Sequence, residues 1–257
     1  MEWKTEISKV EPNKILIRGY NLGDLIGRLT FGGVAYLLLT GEYPTEAQQK
    51  IMDAMLVAGC DHSLAAPSTQ AARLVASSGV PLQAAVAAGI TSLGDYHGGA
   101  IDKCAKVLQE GVKRAKEEGK SFDEMAEIIV KEHRERKERI QGFGHPYHTK
   151  DPRVTAMMNL AKELGIYGEH CEFAKAIERA LEKEFGRHLP LNVDGGIAAL
   201  MSELGLDWRL GKGFYVMARS AGLVAHVYEE MTKERPFRVL PLDQIIYNGP
   251  PERPVPK

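Results

Sequence analysis

Cysteine is scarce in this chain. Its three residues, Cys60, Cys104 and Cys171, lie far apart among 257, with no CxxC pair and no Cys/His cluster. That count argues against a disulfide framework and a zinc site of ligand-like spacing, and suits reduced thiols in a cytosolic protein. Long apolar runs are missing too: "GGVAYLLLTG" and "PLQAAVAAGITSLG" are the longest and both are too short to span a bilayer. The opening Met-Glu-Trp-Lys is no signal peptide, so a cytoplasmic protein is expected. Neither sign of charge is in excess, the formal net charge being −1, which gives nucleic acid no bulk electrostatic footing. There is no internal repeat and no Gly/Ser linker, so any lobes must share one body. What is present is an ordinary globular balance, 44% hydrophobic and 26% charged, on a chain long enough for a sizeable core.

The pattern is helical nearly everywhere. One β-like piece, "KILIRG", spans 14–19. Thr45 with Gln48, and Ser121 with Glu124, form capping-box pairs ahead of helices over 46–60 and 125–140. The run from Pro81 to Leu93 is Ala-rich and apolar all round, which predicts a helix buried on every side, in a core or a subunit interface. Further helices are predicted over 103–118, 152–164, 169–185, 196–204 and 212–231, with Asp151-Pro152 supplying an N-cap and a proline at the first helical position of the 152–164 helix. The tail "NGPPERPVPK" should be extended. "KEHRERKERI" (131–140) interleaves Glu132, Glu135 and Glu138 with its cations, and reads as a solvated, ion-paired helix face rather than a phosphate-binding surface.

Three segments place a proton-carrying side chain beside glycines and a following helix: His97 in "GDYHGGAIDK", His145 in "QGFGHPYHTKDPR" and Asp194 in "NVDGGIAALM". Unpaired N–H groups and the dipole at a helix N-terminus favour a bound anion, and the same field keeps a nearby histidine neutral. Taken singly, each has a plain structural reading. Gly-Gly after a polar residue is a common turn into a helix, and Asp is a routine N-cap. Two imidazoles, one carboxylate and neighbouring arginines together point to acid–base chemistry on an anionic substrate.

These motifs carry a family resemblance. "DHSLAAPSTQAARLVASSG", "GDYHGGAIDKCAKVL", "GFGHPYHTKDPR", "NVDGGIAALM" and "VMARSAGLVAHVYEE" occur in the order found in citrate synthases and in the lyase module of ATP-citrate lyase. "IRGYNLGDLIGRLTFGGVAYLLLTGEYPT" resembles the family's entry segment, so the likeness runs from Ile15 to Tyr247. Only one helix separates "GEYPT" from "CDHS", where full-length synthases carry a long helical insertion. That contraction resembles the lyase module and the stand-alone citryl-CoA lyases. Pro146-Tyr147-His148 replaces the synthase-type Arg-Val-Tyr after the loop histidine, in a segment one residue shorter, so the family's coenzyme A phosphate contacts do not transfer directly.

The resemblance implies an all-α, citrate-synthase-like fold. Its large helical lobe would be built from 1–97 and 206–257 and its small lobe from 98–205, with the active site in the cleft between them. It implies Asp194 as the carboxylate that moves the acetyl methyl proton, His97 as donor to the thioester oxygen, and His145 as proton partner of the citryl hydroxyl. Substrate contacts would come from His62, Arg153 and Arg219, and from Arg235 or Arg238 across a subunit interface, between which the spacing does not choose. Coenzyme A would lie along Gly142, Phe143 and Gly144, with Lys150 and Lys212 as candidate phosphate partners. The expected activity is cleavage of citryl-CoA to acetyl-CoA and oxaloacetate by a homo-oligomer, at least a dimer. It would need no metal and no tightly bound cofactor beyond the coenzyme A of the substrate. With no ATP-grasp or phosphohistidine segment, a separate citryl-CoA synthetase would be the functional partner. Citrate or methylcitrate synthesis is the first alternative, and a non-catalytic coenzyme A-binding scaffold the second.

Overall fold

The computed structural model describes residues 2–145 and 149–256. The replacement at Pro146-Tyr147-His148 therefore falls outside the described residues. A three-stranded antiparallel meander, β1 (Ser8–Glu11), β2 (Lys14–Ile17) and β3 (Tyr20–Asn21), opens the chain. The sequence signalled only its middle strand. β1 is exposed along its length, so it lacks the alternation of a half-buried strand. Asn13 sits between β1 and β2 in the left-handed region (φ 62°), which makes the tight turn.

Helices supply the rest, as expected: α1 (Leu22–Leu25), α2 (Phe31–Thr40), α3 (Glu46–Gly59), α4 (Pro67–Ala76), α5 (Leu82–Thr91), α6 (Ala100–Glu117), α7 (Phe122–Glu135), α8 (Pro152–Glu163), α9 (Glu169–Phe185), α10 (Val193–Glu203) and α11 (Gly211–Lys233). Both capping boxes form, at Thr45–Gln48 and Ser121–Glu124. Asp151 caps α8, and Pro152 occupies its first turn. α7 begins right after its cap and stops at Glu135 rather than continuing to 140. Lys137 adopts a left-handed φ of 58°, which no helix carries.

The main core gathers α2, α3 and α6 to α11. A smaller apolar cluster joins α4, α5 and α11 through Ala72, Ala76, Ala85, Val86, Leu223 and Val227. α10 is the helix enclosed on every side, with Gly195 through Ser202 all buried. The prediction gave that place to α5. There Ala85, Val86 and Gly89 are buried on one face, while Gln83, Ala84 and Ala87 are open on the other. Within a single chain α5 is thus half enclosed, and a subunit interface on its open face is the alternative the sequence left.

Candidate active site

The site is built where α10 and the loop before α8 meet. α10 starts at Val193, three residues earlier than predicted, because Asn192 caps it by accepting from Asp194 N (3.0 Å) and Gly195 N (3.2 Å). Asp194 thus sits in the first helical turn. Gly195 and Gly196 lie inside the helix rather than in a flexible lead-in. A Cβ on Gly195 would come within 2.3 Å of the Gly142 carbonyl oxygen, and a Cβ on Gly142 within 2.8 Å of Gly195 Cα. Glycine is needed here for close approach, and at Gly142 for its φ of 87° as well. Asn192 N donates to Gly142 O (3.0 Å), Asn192 Nδ2 to Gly144 O (2.9 Å) and Gly144 N to Pro190 O (2.7 Å). The loop carrying His145 is therefore stitched to the segment that starts the helix of Asp194. Asp151 caps α8, while His145 stands in the loop ahead of it rather than at the helix terminus the sequence suggested.

His62, His97, His145, Arg153 and Asp194 line one cleft of about 330 Å³, together with Tyr215, Asn192 and the Ala65–Pro67 backbone. The rings of His62 and His145 lie 6.3 Å apart. His97 is held on α4: its Nε2 lies 2.8 Å from Ser68 Oγ and accepts from Ser68 N (3.3 Å). Arg219 Nη1 donates to the same Oγ (3.3 Å), so the hydroxyl proton is free to point at His97. This pattern assigns the imidazole proton to Nδ1. Burial, with Arg219 and His62 nearby, lowers the His97 pKa and keeps the ring neutral. Arg219 is buried beneath the cleft instead of lining it, bonded to Gly59 O (3.2 Å) and stacked over Tyr215 at 4.9 Å.

Asp194 is the most perturbed carboxyl in the cleft. Burial raises its pKa to about 6 against the pull of Arg153 and Arg219, and Asp151 adds to the rise. Its Oδ1 is buried without a hydrogen-bond partner. A carboxyl in that state gives and takes a proton near neutrality.

A second cleft, of about 560 Å³, meets the first at Gly144 and His145. Val130, Ile140, Phe143, Leu181, Phe185 and Leu189 give it an apolar wall, and Arg134, Arg139 and Arg187 give it cations. Arg134 pairs with Glu184, whereas Arg139 and Arg187 have no partner among the described residues. The 131–140 segment is thus only partly the ion-paired face expected of it. Arg114–Glu132 and Arg136–Glu138 are such pairs, but its far end walls a cleft.

Several predicted contacts lie elsewhere. Gly142 is buried against Cys104 and Gly195 and reaches neither cleft, whereas Phe143 and Gly144 line the larger one. Lys150 is exposed, and Lys212 is engaged by Asp95 (3.3 Å) and Asp102 (3.7 Å); neither lines a cleft. Arg238 is bound to buried Glu230, which Arg73 also grips, and Arg235 lines a separate groove beside Val80 and Met231. Sequence reasoning missed Ser68, Tyr215, Asn192, Arg139 and Arg187. Ser68 stood six residues after His62 in a quoted motif, but its contact with His97 is a tertiary one.

Among the described residues no three His, Cys, Asp or Glu side chains are grouped to hold a metal ion, and no helix is long and apolar enough to cross a membrane. The family description "Citrate synthase, C-terminal domain" matches residues 2–51 and 44–240. Over 228 residues the chain is 32% identical to the citrate/2-methylcitrate synthase of Bacillus subtilis (strain 168), covering 86% of this chain but 57% of that protein, so it spans little more than half of that relative. Among solved structures, citryl-CoA lyase from Hydrogenobacter thermophilus superposes with a TM-score of 0.91 at 46% identity, over 99% of this chain and 97% of that one. ATP citrate lyase from Methanosaeta concilii, solved with (3S)-citryl-CoA, gives 0.79 at 25% identity over 98% of this chain and 42% of its own. With its helical fold and motif order shared along nearly the whole chain, this protein belongs to the citrate synthase family.

Proposed function

We propose that the chain cleaves citryl-CoA to acetyl-CoA and oxaloacetate. The observation that carries this reading is one cleft holding His97, His145, Asp194 and Arg153, opening at His145 into a larger apolar and cationic one. The near full-length match to a citryl-CoA lyase supports it.

In this reading citryl-CoA places its carboxylates against Arg153, with His62 beside them and Arg219 below. Its coenzyme A arm runs past Gly144 into the larger cleft, with the apolar wall around the adenine and Arg139 and Arg187 beside the phosphates. His145 accepts the proton of the citryl hydroxyl. The C–C bond breaks, its electron pair moves onto the thioester oxygen, and the alkoxide carbon becomes the ketone of oxaloacetate. His97, neutral with its proton on Nδ1, donates to that oxygen where charge develops. Asp194, whose raised pKa of about 6 keeps a fraction of the carboxyl protonated near neutrality, delivers a proton to the terminal carbon and completes the acetyl group. One proton has moved from Asp194 to His145, and solvent resets the pair.

The reading retains two lobes around the cleft, 98–205 forming the smaller, which close on the substrate. It also retains a homo-oligomer. Within one chain neither Arg235 nor Arg238 reaches the cleft, and Phe237, Leu240, Leu242, Ile246 and Tyr247 of the tail stand exposed. A separate synthetase would supply the citryl thioester.

Incubation with synthetic citryl-CoA, following oxaloacetate and free coenzyme A separately, tests the function. Oxaloacetate appearing without free thiol supports cleavage. The relative from Bacillus subtilis gives a second reading, condensation followed by thioester hydrolysis. Stoichiometric thiol release from acetyl-CoA and oxaloacetate would select that reading instead.

A further inference from the structure

Asp151 does more than cap α8. Its side chain is buried, and both oxygens are engaged. Oδ1 accepts from Arg153 N (3.0 Å) and Arg153 Nε (3.0 Å), while Oδ2 accepts from Arg153 Nη2 (2.8 Å) and Val193 N (3.2 Å). A guanidinium is planar and offers two forked edges, Nε with one Nη and the two Nη groups together. Asp151 takes the first edge whole. Nη1, on the second, makes no hydrogen bond among the described residues, and Arg153 lines the cleft. Through Val193 N the same carboxylate also grips the first turn of α10, the turn that carries Asp194.

We propose that Asp151 is a positioning residue for this chemistry: it holds Arg153 by one edge, turns the other to the substrate carboxylate, and keeps that cation from pairing with Asp194. This rests on the functional reading above. The need for such a restraint follows from the charges around Asp194. Arg153 and Asp151 face it from the start of α8, Arg219 and Tyr215 from α11, and Cys104 from α6. Of the two arginines, Arg219 is fixed to Gly59 and Ser68. Among the described residues Arg153 has Asp151 as its acceptor. Released, it would be drawn to Asp194, the carboxyl that must hold a proton for the final step.

Asp151→Asn is the test, because an amide oxygen still accepts from Arg153 N and preserves the cap. The expected results are a melting temperature close to wild type, a KM for citryl-CoA about tenfold higher with a smaller change in kcat, and a lowered Asp194 titration midpoint. The midpoint is read by 13C NMR of the Asp194 carboxyl and needs no substrate. In an Arg153→Lys background the same change should add little to KM, because two residues acting through one contact are not additive. An Asp194 midpoint that falls no further in Asp151→Asn than in the same substitution beside Arg153→Met, where only the Asp151 charge is lost, overturns the positioning role, as do KM effects that simply multiply. Absence of turnover in the wild-type protein overturns the functional reading instead, so the two failures are read separately.

Discussion

The two clefts that meet at His145 treat their cations in opposite ways. At the smaller one the arginines are already bonded: Arg153, which lines it, to Asp151, and Arg219, buried beneath it, to Gly59 and Ser68. In the larger one Arg139 and Arg187 carry no partner among the described residues and stand against an apolar wall. The first arrangement suits chemistry, where groups must be in place before charge develops. The second suits a long anionic ligand, since side chains free to adjust can follow a flexible phosphate. In the proposed reading the difference separates making and breaking bonds from holding the handle.

Breaking the chemical side should have the larger effects. Asp194→Asn should lower turnover by about a thousandfold in both directions, since the residue moves the proton on carbon. It should also stabilise the fold. The carboxyl pKa is raised on folding to about 6, so the folded chain holds a proton that the unfolded chain releases. Stability therefore falls as pH rises through about 4 to 6, and the asparagine variant, free of this, should gain about 2 kcal/mol at pH 7 and little at pH 4. Denaturant melts at the two pH values check the sign. For the wild type, kcat/KM should show a limb near pH 6 that is the same for cleavage and condensation. The reaction releases no net proton, so a limb seen in one direction alone would contradict the assignment.

Smaller effects sharpen the contrast. Ser68→Ala removes the hydroxyl that links Arg219 to His97, and kcat should fall about tenfold with KM little changed. Arg139→Ala and Arg187→Ala should each raise KM for citryl-CoA by about three- to tenfold, leave kcat near wild type and flatten the dependence of KM on salt. Smallest of all, prior treatment with a chelator should leave the rate unchanged. A rate lost to the chelator and restored by a divalent cation would break the acid–base scheme.

The local signals in the sequence were sound where the physics is local. Capping at Thr45, Ser121 and Asp151 follows from side-chain reach over three residues, and the structure forms all three. The three proton-carrying residues were legible as a set because motif order survives, and the structure brings them to one cleft. What could not be read is tertiary. Gly195 and Gly196 looked like a flexible lead-in, but they are inside a helix that must pass within touching distance of Gly142 and Val154. Lys212 could not be read as engaged until the fold placed it between two aspartates, whereas Lys150 stands exposed. That Arg134 and Arg139 wall the larger cleft was equally hidden, in a segment whose alternating charges read as plain solvation.

The contact between Gly142 and Gly195 leaves no room for slippage. Because backbone rests directly on backbone there, the loop with His145 and the helix with Asp194 must travel as one rigid piece during any opening or closing. In the proposed reaction the spacing between His145 as proton acceptor and Asp194 as proton donor is then independent of how far the cleft gapes. Room for a bulkier acyl group would have to come from lining residues outside that piece, such as Ala65, Ala66 and Pro67. Substrate range can thus change across this cleft while the distance over which the protons act stays fixed.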